Sequence, residues 1–146
     1  MNQYLALKTR HREEMNAFPI KFAFNSEQFA KAMRELGLDP AETDKVTGIG
    51  GGGFMLKTDV QRFKDMTDMH IQAHTDAMDA DKTGEGYIYD AIHYELGNYE
   101  YGYTGDDTDA LDALCITRKQ VTEDSRIAKA LSRAKQAHRE WYRAHG

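Results

Sequence analysis

The chain has 146 residues, of which 40% are hydrophobic and 29% are charged, and its formal net charge is -5. This length accommodates one hydrophobic core and excludes two independent ones, so we expect a single domain over residues 1–146. The one cysteine, Cys115, excludes an internal disulfide and a four-cysteine zinc site, which indicates a reducing compartment.

The amino-terminal residues predict a helix and no targeting signal. Residues 1–15 carry charges every few positions, where a secretion signal needs an unbroken apolar stretch. No apolar run reaches the length that spans a membrane, so we expect a cytoplasmic protein without a membrane partner. Apolar side chains recur at intervals of three and four from Tyr4 to Phe18, which predicts an amphipathic helix over 2–17 that ends before Pro19.

A strand and a second helix follow. Ile20, Phe22 and Phe24 recur at every second position, which predicts a strand at 20–24 with one buried face. A polar cap, an apolar stripe and a closing glycine predict a helix over 26–37.

Two short strands are predicted near 45–49 and 54–57, joined by a glycine-rich turn into a β-hairpin. The glycines of that turn are Gly50, Gly51, Gly52 and Gly53. Such a run could also present backbone amides to a phosphate, because residues 48–53 match the GxGxxG pattern. A strand-like segment follows where that pattern needs a helix, so we favour a structural turn and keep phosphate binding as the alternative.

The next helix is predicted over 58–78 and carries His70 and His74 at the spacing of a two-histidine metal pair. Ile71 stands where a zinc protease has glutamate, so we predict no metal site there. The polar stretch after it, Asp79–Asp90, matches the first half of a calcium-binding loop and lacks the closing glutamate. We favour a solvated acidic loop.

Further helices are predicted over 87–97, over 106–114 and along the carboxy-terminal residues, with a loop at 98–105. The predicted fold class is α+β, mainly helical, with a small antiparallel sheet (strands near 20–24, 45–49 and 54–57) packed by about five helices. Cys115, between Leu114 and Ile116, is predicted to be buried.

Charge is divided unevenly along the chain. Residues 79–112, the acidic segment, carry one Lys/Arg and ten Asp/Glu, whereas residues 113–146, the basic segment, carry eight and three. Basic residues on a long helix could grip phosphates, but the overall acidity argues against nucleic acid as a partner. A solvated helix face that partly compensates the acidic segment is the favoured interpretation.

Tyrosines concentrate in the acidic segment, which holds six of the eight in the chain. Around residue 100 they stand among acids without the period of a helix or strand. Tyrosine buries a large area at low entropic cost, and carboxylates attract a basic partner, so we predict a partner-binding surface here. Its predicted residues are Tyr99, Glu100, Tyr101, Tyr103, Asp106, Asp107 and Asp109. The alternative is a loop whose tyrosines pack on their own domain.

Three stretches carry a resemblance: FPIKFAFNSEQFAKAMRELGL, TDKVTGIGGGGFMLKTD and GYIYDAIHYELGNYEYGYTGDDTDALDAL. Together they resemble a family of small uncharacterised proteins carried by bacteriophages and integrative elements, over residues 1 to about 121. The resemblance implies an accessory protein of a mobile element. Host takeover, or inhibition of a bacterial defence system such as a CRISPR nuclease, is a common role in that setting.

No catalytic residue set and no cofactor motif is recognisable, which favours a non-enzymatic protein. The leading hypothesis is therefore an accessory protein that binds a host protein with a basic surface through its acidic, tyrosine-rich surface. One alternative is a nucleotide- or metal-binding protein or enzyme that uses the glycine-rich turn. A second is nucleic-acid binding through the basic carboxy-terminal helix.

Overall fold

The computed structural model describes residues 2–146, and Met1 lies outside them. It confirms the predicted class: a mainly helical α+β protein with a small antiparallel sheet. The helices are α1 Gln3–Ala17, α2 Ser26–Glu35, α3 Val60–Ala80, α4 Tyr87–Asn98, α5 Tyr101–Thr104, α6 Thr108–Ala113, α7 Arg118–Glu123 and α8 Ser125–His145. The strands are β1 Lys21–Phe22, β2 Val46–Gly50 and β3 Gly53–Leu56, and short 3-10 turns occupy Thr43–Lys45 and Lys57–Asp59. No described helix is long and apolar enough to cross a membrane.

The chain divides into two compact units. The helical unit comprises the described residues up to Arg10 together with 73–146, and the sheet unit comprises 11–72. Helices α1 and α3 each contribute residues to both units. The expectation of one domain over 1–146 stays a prediction.

The sheet unit is built on the predicted hairpin. Strand β3 lies between β1 and β2 and pairs antiparallel with both, with Gly50 opposite Gly53 at the turn. Ala32 and Met33 of α2 pack with Phe54 of β3 to form its small core. Helix α2 therefore supplies the apolar cover for the face of the sheet that carries Phe54.

The first strand corrects one prediction. It is only two residues long, and Phe22 and Phe24 are 59% and 75% exposed, so the alternating pattern does not bury one face. The reason is the glycine turn beside it. A methyl group on Gly52 would lie 2.6 Å from the Phe24 ring, which shows that the ring lies directly over bare backbone instead of entering the core.

The helical unit is organised by α4 packed on α8. Large apolar side chains of α4 are completely buried, while small side chains on α8 allow the two helices to approach closely. The α4 residues are Ile88, Ile92 and Leu96, and the α8 residues that face them include Ala130 and Ala134.

Other boundaries differ from those predicted. The basic carboxy-terminal helix is two helices, because Thr117 and Gln120 form a capping box that starts α7, and Asp124 ends α7 and caps α8. A one-turn helix, α5, lies within the predicted loop 98–105.

The prediction that Cys115 is buried is wrong. Cys115 is exposed, with φ of 56°, because it occupies the left-handed position that ends α6. Its amide bonds the Asp112 carbonyl, and this turn directs its neighbours Leu114 and Ile116 into the core instead.

The loop before α4 is held by a glycine that tolerates no side chain. Gly84 is buried with φ of 81°, and a Cβ there would lie 2.5 Å from the Arg126 carbonyl oxygen. Gly105 has a similar φ of 71°, but a Cβ there would have no neighbouring atom within 4 Å. An alanine at either position would meet left-handed backbone strain, but only an alanine at position 84 would also overlap a neighbouring backbone atom.

We predict that Gly84→Ala lowers the free energy of unfolding by about 3 kcal/mol, because left-handed strain and overlap with backbone add. Gly105→Ala is the matched control and should cost about 1 kcal/mol, since only the strain applies. Urea denaturation of both variants measures the difference. Equal losses would show that Gly84 is not packed against α8 as described.

Candidate functional site

A buried carboxylate fixes α6 against the basic helices. The Asp107 side chain is 7% exposed and forms ion pairs with Arg118 and with Lys135, whose Nζ lies 2.7 Å from Oδ2. The Arg118 guanidinium donates one hydrogen bond to each carboxylate oxygen. The hydrogen bond from Arg118, with that from Lys135, outweighs burial and lowers the pKa of Asp107 to about 2.

A second buried carboxylate, Glu95, lies on α4 and is held by three donors. The Tyr4 hydroxyl donates at 2.7 Å, Lys8 Nζ at 2.9 Å and the Asn98 amide at 3.2 Å. Burial opposes ionisation of Glu95, but these hydrogen bonds outweigh it and lower its pKa. The same contact raises the pKa of Tyr4, whose burial is the larger cause.

Four of the other eight acids of the acidic segment are also engaged within the helical unit. Lys129 and Arg133 of α8 both contact Glu85, at 3.0 and 2.8 Å. The remaining engaged acids, Asp81, Asp90 and Asp106, accept hydrogen bonds from backbone amides. The predicted compensation between the two segments is therefore a set of direct contacts.

The basic segment is engaged to the same degree, which weakens the case for nucleic acid. Six of its eight Lys/Arg residues contact a carboxylate, a carbonyl or a hydroxyl of the helical unit: Arg118, Arg126, Lys129, Arg133, Lys135 and Arg139. Phosphate binding depends on cations that are available to replace counterions. The structure leaves few of them on α8.

An open groove lies where α4, α5 and the end of α8 meet, and we name it the aromatic groove. Its volume is about 910 Å³. The residues that line it are His93, Gly97, Glu100, Gly102, Tyr103, Ala137, His138, Trp141 and Tyr142. All of them belong to the helical unit.

Large aromatic side chains on the rim of the groove are exposed to solvent. Tyr103 is 76% exposed, Trp141 62% and Tyr142 40%. Tyr103 and Tyr142 form an edge-to-face pair with ring centroids 6.3 Å apart, and Trp141 stacks on His145 at 4.4 Å. An exposed aromatic cluster on an otherwise polar surface is typical of binding sites, which makes this groove the candidate site.

Glycines and two histidines form the floor of the groove. A Cβ on Gly97 would lie 3.2 Å from the His138 ring, so glycine lets that ring pack on α4. His138 Nε2 donates to the His93 carbonyl at 2.8 Å, and the two rings stack at 4.4 Å. Burial, followed by the electrostatic effect of His138, lowers the pKa of His93.

Glu100 occupies the rim in an unusual backbone conformation. It lies in the left-handed region with φ of 57°, between the end of α4 and the start of α5. No ion pair joins its carboxylate to another described residue, in contrast to Asp107 and Glu95. Glu100 thus occupies the helix-ending position after α4 that Cys115 occupies after α6.

The structure separates the predicted partner-binding residues into two groups. Tyr99, Glu100, Tyr103, Asp106 and Asp109 are exposed. Tyr101 and Asp107 are buried, and both contact the basic segment: the Tyr101 hydroxyl accepts from Arg139 at 3.1 Å, and Lys135 lies over the Tyr101 ring. A surface for a partner therefore consists of the first group.

Sequence reasoning missed the half of the groove that α8 supplies. Trp141 and Tyr142 were not among the predicted residues, nor were His93 and His138. One signal in the sequence could have indicated this half. The single tryptophan, Trp141, stands near the end of a mostly polar helix, where few apolar neighbours are available to cover it.

The other predicted motifs have structural roles. Gly50, Gly51 and Gly52 all have positive φ and form the exposed hairpin turn, with Gly53 beginning β3. His70 bonds Glu14, and His74 lies between the Tyr87 hydroxyl and the Leu114 carbonyl. Over residues 2–146 no group of three or more His, Cys, Asp or Glu side chains could hold a metal ion.

The Asp81 carboxylate of the calcium-like loop accepts the amides of Gly84, Gly86 and Ile88 and thereby starts α4. Burial opposes its ionisation, but these backbone hydrogen bonds lower its pKa. The neighbouring Glu85 is engaged by α8.

Comparison with known proteins identifies a family and no close relative. The family model described as a family of unknown function, DUF7659, matches residues 3–137. No curated protein and no solved structure matches the chain.

We predict that Asp107→Asn lowers the free energy of unfolding by about 2 kcal/mol at pH 7, because it removes the charge that Arg118 and Lys135 hold. The folded-state pKa lies below the unfolded one, so the contribution is present above pH 4 and disappears as the pH falls toward 2.

Denaturant unfolding of both proteins between pH 7 and pH 2 measures this difference. Asp109→Asn is the matched control, since the exposed Asp109 has no ion pair to another described residue, and it should change the free energy by less than about 0.5 kcal/mol. A difference for Asp107→Asn that stays constant down to pH 2 would contradict the assignment.

Proposed function

The chain belongs to DUF7659, a family of unknown function, and we propose that it is a non-enzymatic binding protein whose aromatic groove docks a basic region of a partner protein. One observation carries the proposal: exposed Tyr103, Trp141 and Tyr142 surround an open groove. Aromatic side chains of this kind supply most of the binding energy in protein interfaces, because they bury a large area at low entropic cost.

The charge of the groove supports a basic partner. Glu100 is the one carboxylate among the lining residues, and no lysine or arginine is among them. Two further exposed acids of the predicted surface, Asp106 and Asp109, belong to the start of α6 and its approach. A positively charged group would meet the Glu100 carboxylate and exposed aromatic rings in the same groove.

The kind of partner follows from the resemblance to proteins of bacteriophages and integrative elements. In that setting the partner is a host protein, and an inhibitor of a CRISPR nuclease would engage a basic nucleic-acid channel. The aromatic groove with its carboxylate rim matches the chemistry of such a channel, which is lined by arginine and lysine. We propose this defence-inhibitor role as the specific form of the function.

Capture from a bacterial lysate tests the general proposal. The wild-type protein and the double variant Tyr103→Ala/Trp141→Ala are immobilised, retained proteins are identified by mass spectrometry, and the identified partner is then purified and titrated. We expect the double variant to lose at least about 30-fold in affinity, since each truncation removes an interface anchor.

Phe24→Ala is the control, because Phe24 is equally exposed but belongs to the sheet unit. It should retain the partner, and circular dichroism should show that all three proteins are folded. Undiminished binding by the double variant would refute the groove as the interface.

The defence-inhibitor role has its own test. Co-expression with a CRISPR nuclease in a plasmid-clearance assay should restore plasmid survival for the wild type and for Phe24→Ala, and not for the double variant. Clearance that is unchanged by the wild-type protein, across the nucleases of its host, would contradict this specific form and leave the binding function in place.

A further inference from the structure

We infer that the aromatic groove binds an arginine side chain of the partner. The guanidinium would stack on the aromatic rim and form an ion pair with the Glu100 carboxylate. This inference rests on the proposed function and adds the chemistry of recognition. It follows from three properties of the groove: its exposed ring faces, its single uncompensated carboxylate and its size.

The ring faces and the carboxylate together select a cation. The negative face of an aromatic ring attracts a cation within about 6 Å, most strongly for tryptophan. Glu100 adds a full negative charge on the same rim and has no ion pair to another described residue. Two α8 cations follow lining residues in sequence: Arg139 donates to the Tyr101 hydroxyl at 3.1 Å, and Arg143 is not among the residues that line the groove.

The helical unit already uses this chemistry internally. Lys8 lies over the Tyr4 and Tyr94 rings at 5.6 and 5.4 Å while it pairs with Glu95. Lys135 lies over the Tyr101 ring at 5.6 Å while it pairs with Asp107. Each is a cation placed between a ring face and a carboxylate. The aromatic groove presents the same two groups to solvent without the cation.

Arginine fits better than lysine. The planar guanidinium stacks on ring faces and forms two parallel hydrogen bonds to a carboxylate, whereas the lysine ammonium is a compact, strongly hydrated charge. The volume of about 910 Å³ is at the upper end for ligand sites and accommodates the side chain with flanking backbone.

Hydrogen bonds fix the backbone of Glu100 at this rim. Its carbonyl accepts the amides of Tyr103 and Thr104, and its own amide bonds the Gly97 carbonyl. These contacts join the end of α4 to the first turn of α5. The backbone from which the carboxylate extends is therefore fixed before a partner arrives, which reduces the entropic cost of binding.

The single tryptophan gives a direct test, because Trp141 lines the groove and no other indole contributes a signal. Four five-residue peptides are titrated into the full chain, each with a central residue flanked by glycine and serine. The central residues are arginine, lysine, citrulline and leucine, and citrulline is the uncharged shape analogue of arginine. Binding is followed by the NMR resonance of the Trp141 indole N–H and by tryptophan fluorescence.

We expect the arginine peptide to shift the Trp141 indole resonance and to bind about fivefold more tightly than the citrulline peptide. Glu100→Gln should weaken arginine binding toward the citrulline level without fully reaching it, because the ring faces still attract the cation, and should leave citrulline binding unchanged. Glu123→Gln, the matched control at an exposed carboxylate of α7, should leave both unchanged. A leucine or citrulline peptide that binds as tightly as the arginine peptide would overturn the inference, as would no indole shift up to about 10 mM arginine peptide.

The two proposals fail in different ways. If the peptides show no arginine preference but partner binding is lost in Tyr103→Ala/Trp141→Ala, the arginine inference is overturned and the binding function is supported. If the double variant keeps its partner, the groove is not the interface, and the inference is overturned together with the proposed function.

Discussion

A buried carboxylate must be paired, and the pairing of Asp107 with Arg118 and Lys135 is the constraint on which the helical unit depends. Leaving one partner of a buried ion pair unmatched costs several kcal/mol, so α6, α7 and α8 can come together in few ways. Glu95 applies the same requirement to α4 and α1 through Lys8 and Tyr4. The charges of the acidic and basic segments therefore act largely within the helical unit, where their ion pairs fix how its helices pack.

This internal use of charge determines which residues remain for a partner. Six of the ten acids of the acidic segment and six of the eight bases of the basic segment contact another side chain or the backbone of the helical unit. The exposed side chains around the groove are mainly aromatic: Tyr103, Trp141 and Tyr142, with Glu100 as its carboxylate. A weakly charged aromatic site in a strongly charged chain is suited to a specific protein contact and poorly suited to general phosphate binding.

Periodicity predicted most of the fold, because α2, α3 and α4 have apolar stripes or caps that local rules describe. It failed for Phe22 and Phe24, where a non-local contact with the glycine turn replaces burial, and for Cys115, where a helix-ending turn reverses the direction of the side chain. The site was half predicted. Its α5 side stood out as tyrosines among acids, but no local rule places Trp141 opposite Tyr103, and none separates exposed Glu100 from buried Asp107.

A double-mutant cycle on Asp107→Asn and Lys135→Met tests most directly whether the charges of the acidic and basic segments stabilise the fold by pairing with each other. Unfolding free energies of the wild type, both single variants and the double variant give the coupling between the two side chains. The contacts described here predict a coupling of about 1–3 kcal/mol, with the double variant more stable than the sum of the single losses implies. A coupling near zero would contradict the account, because the basic helix would then hold its charge free for a ligand.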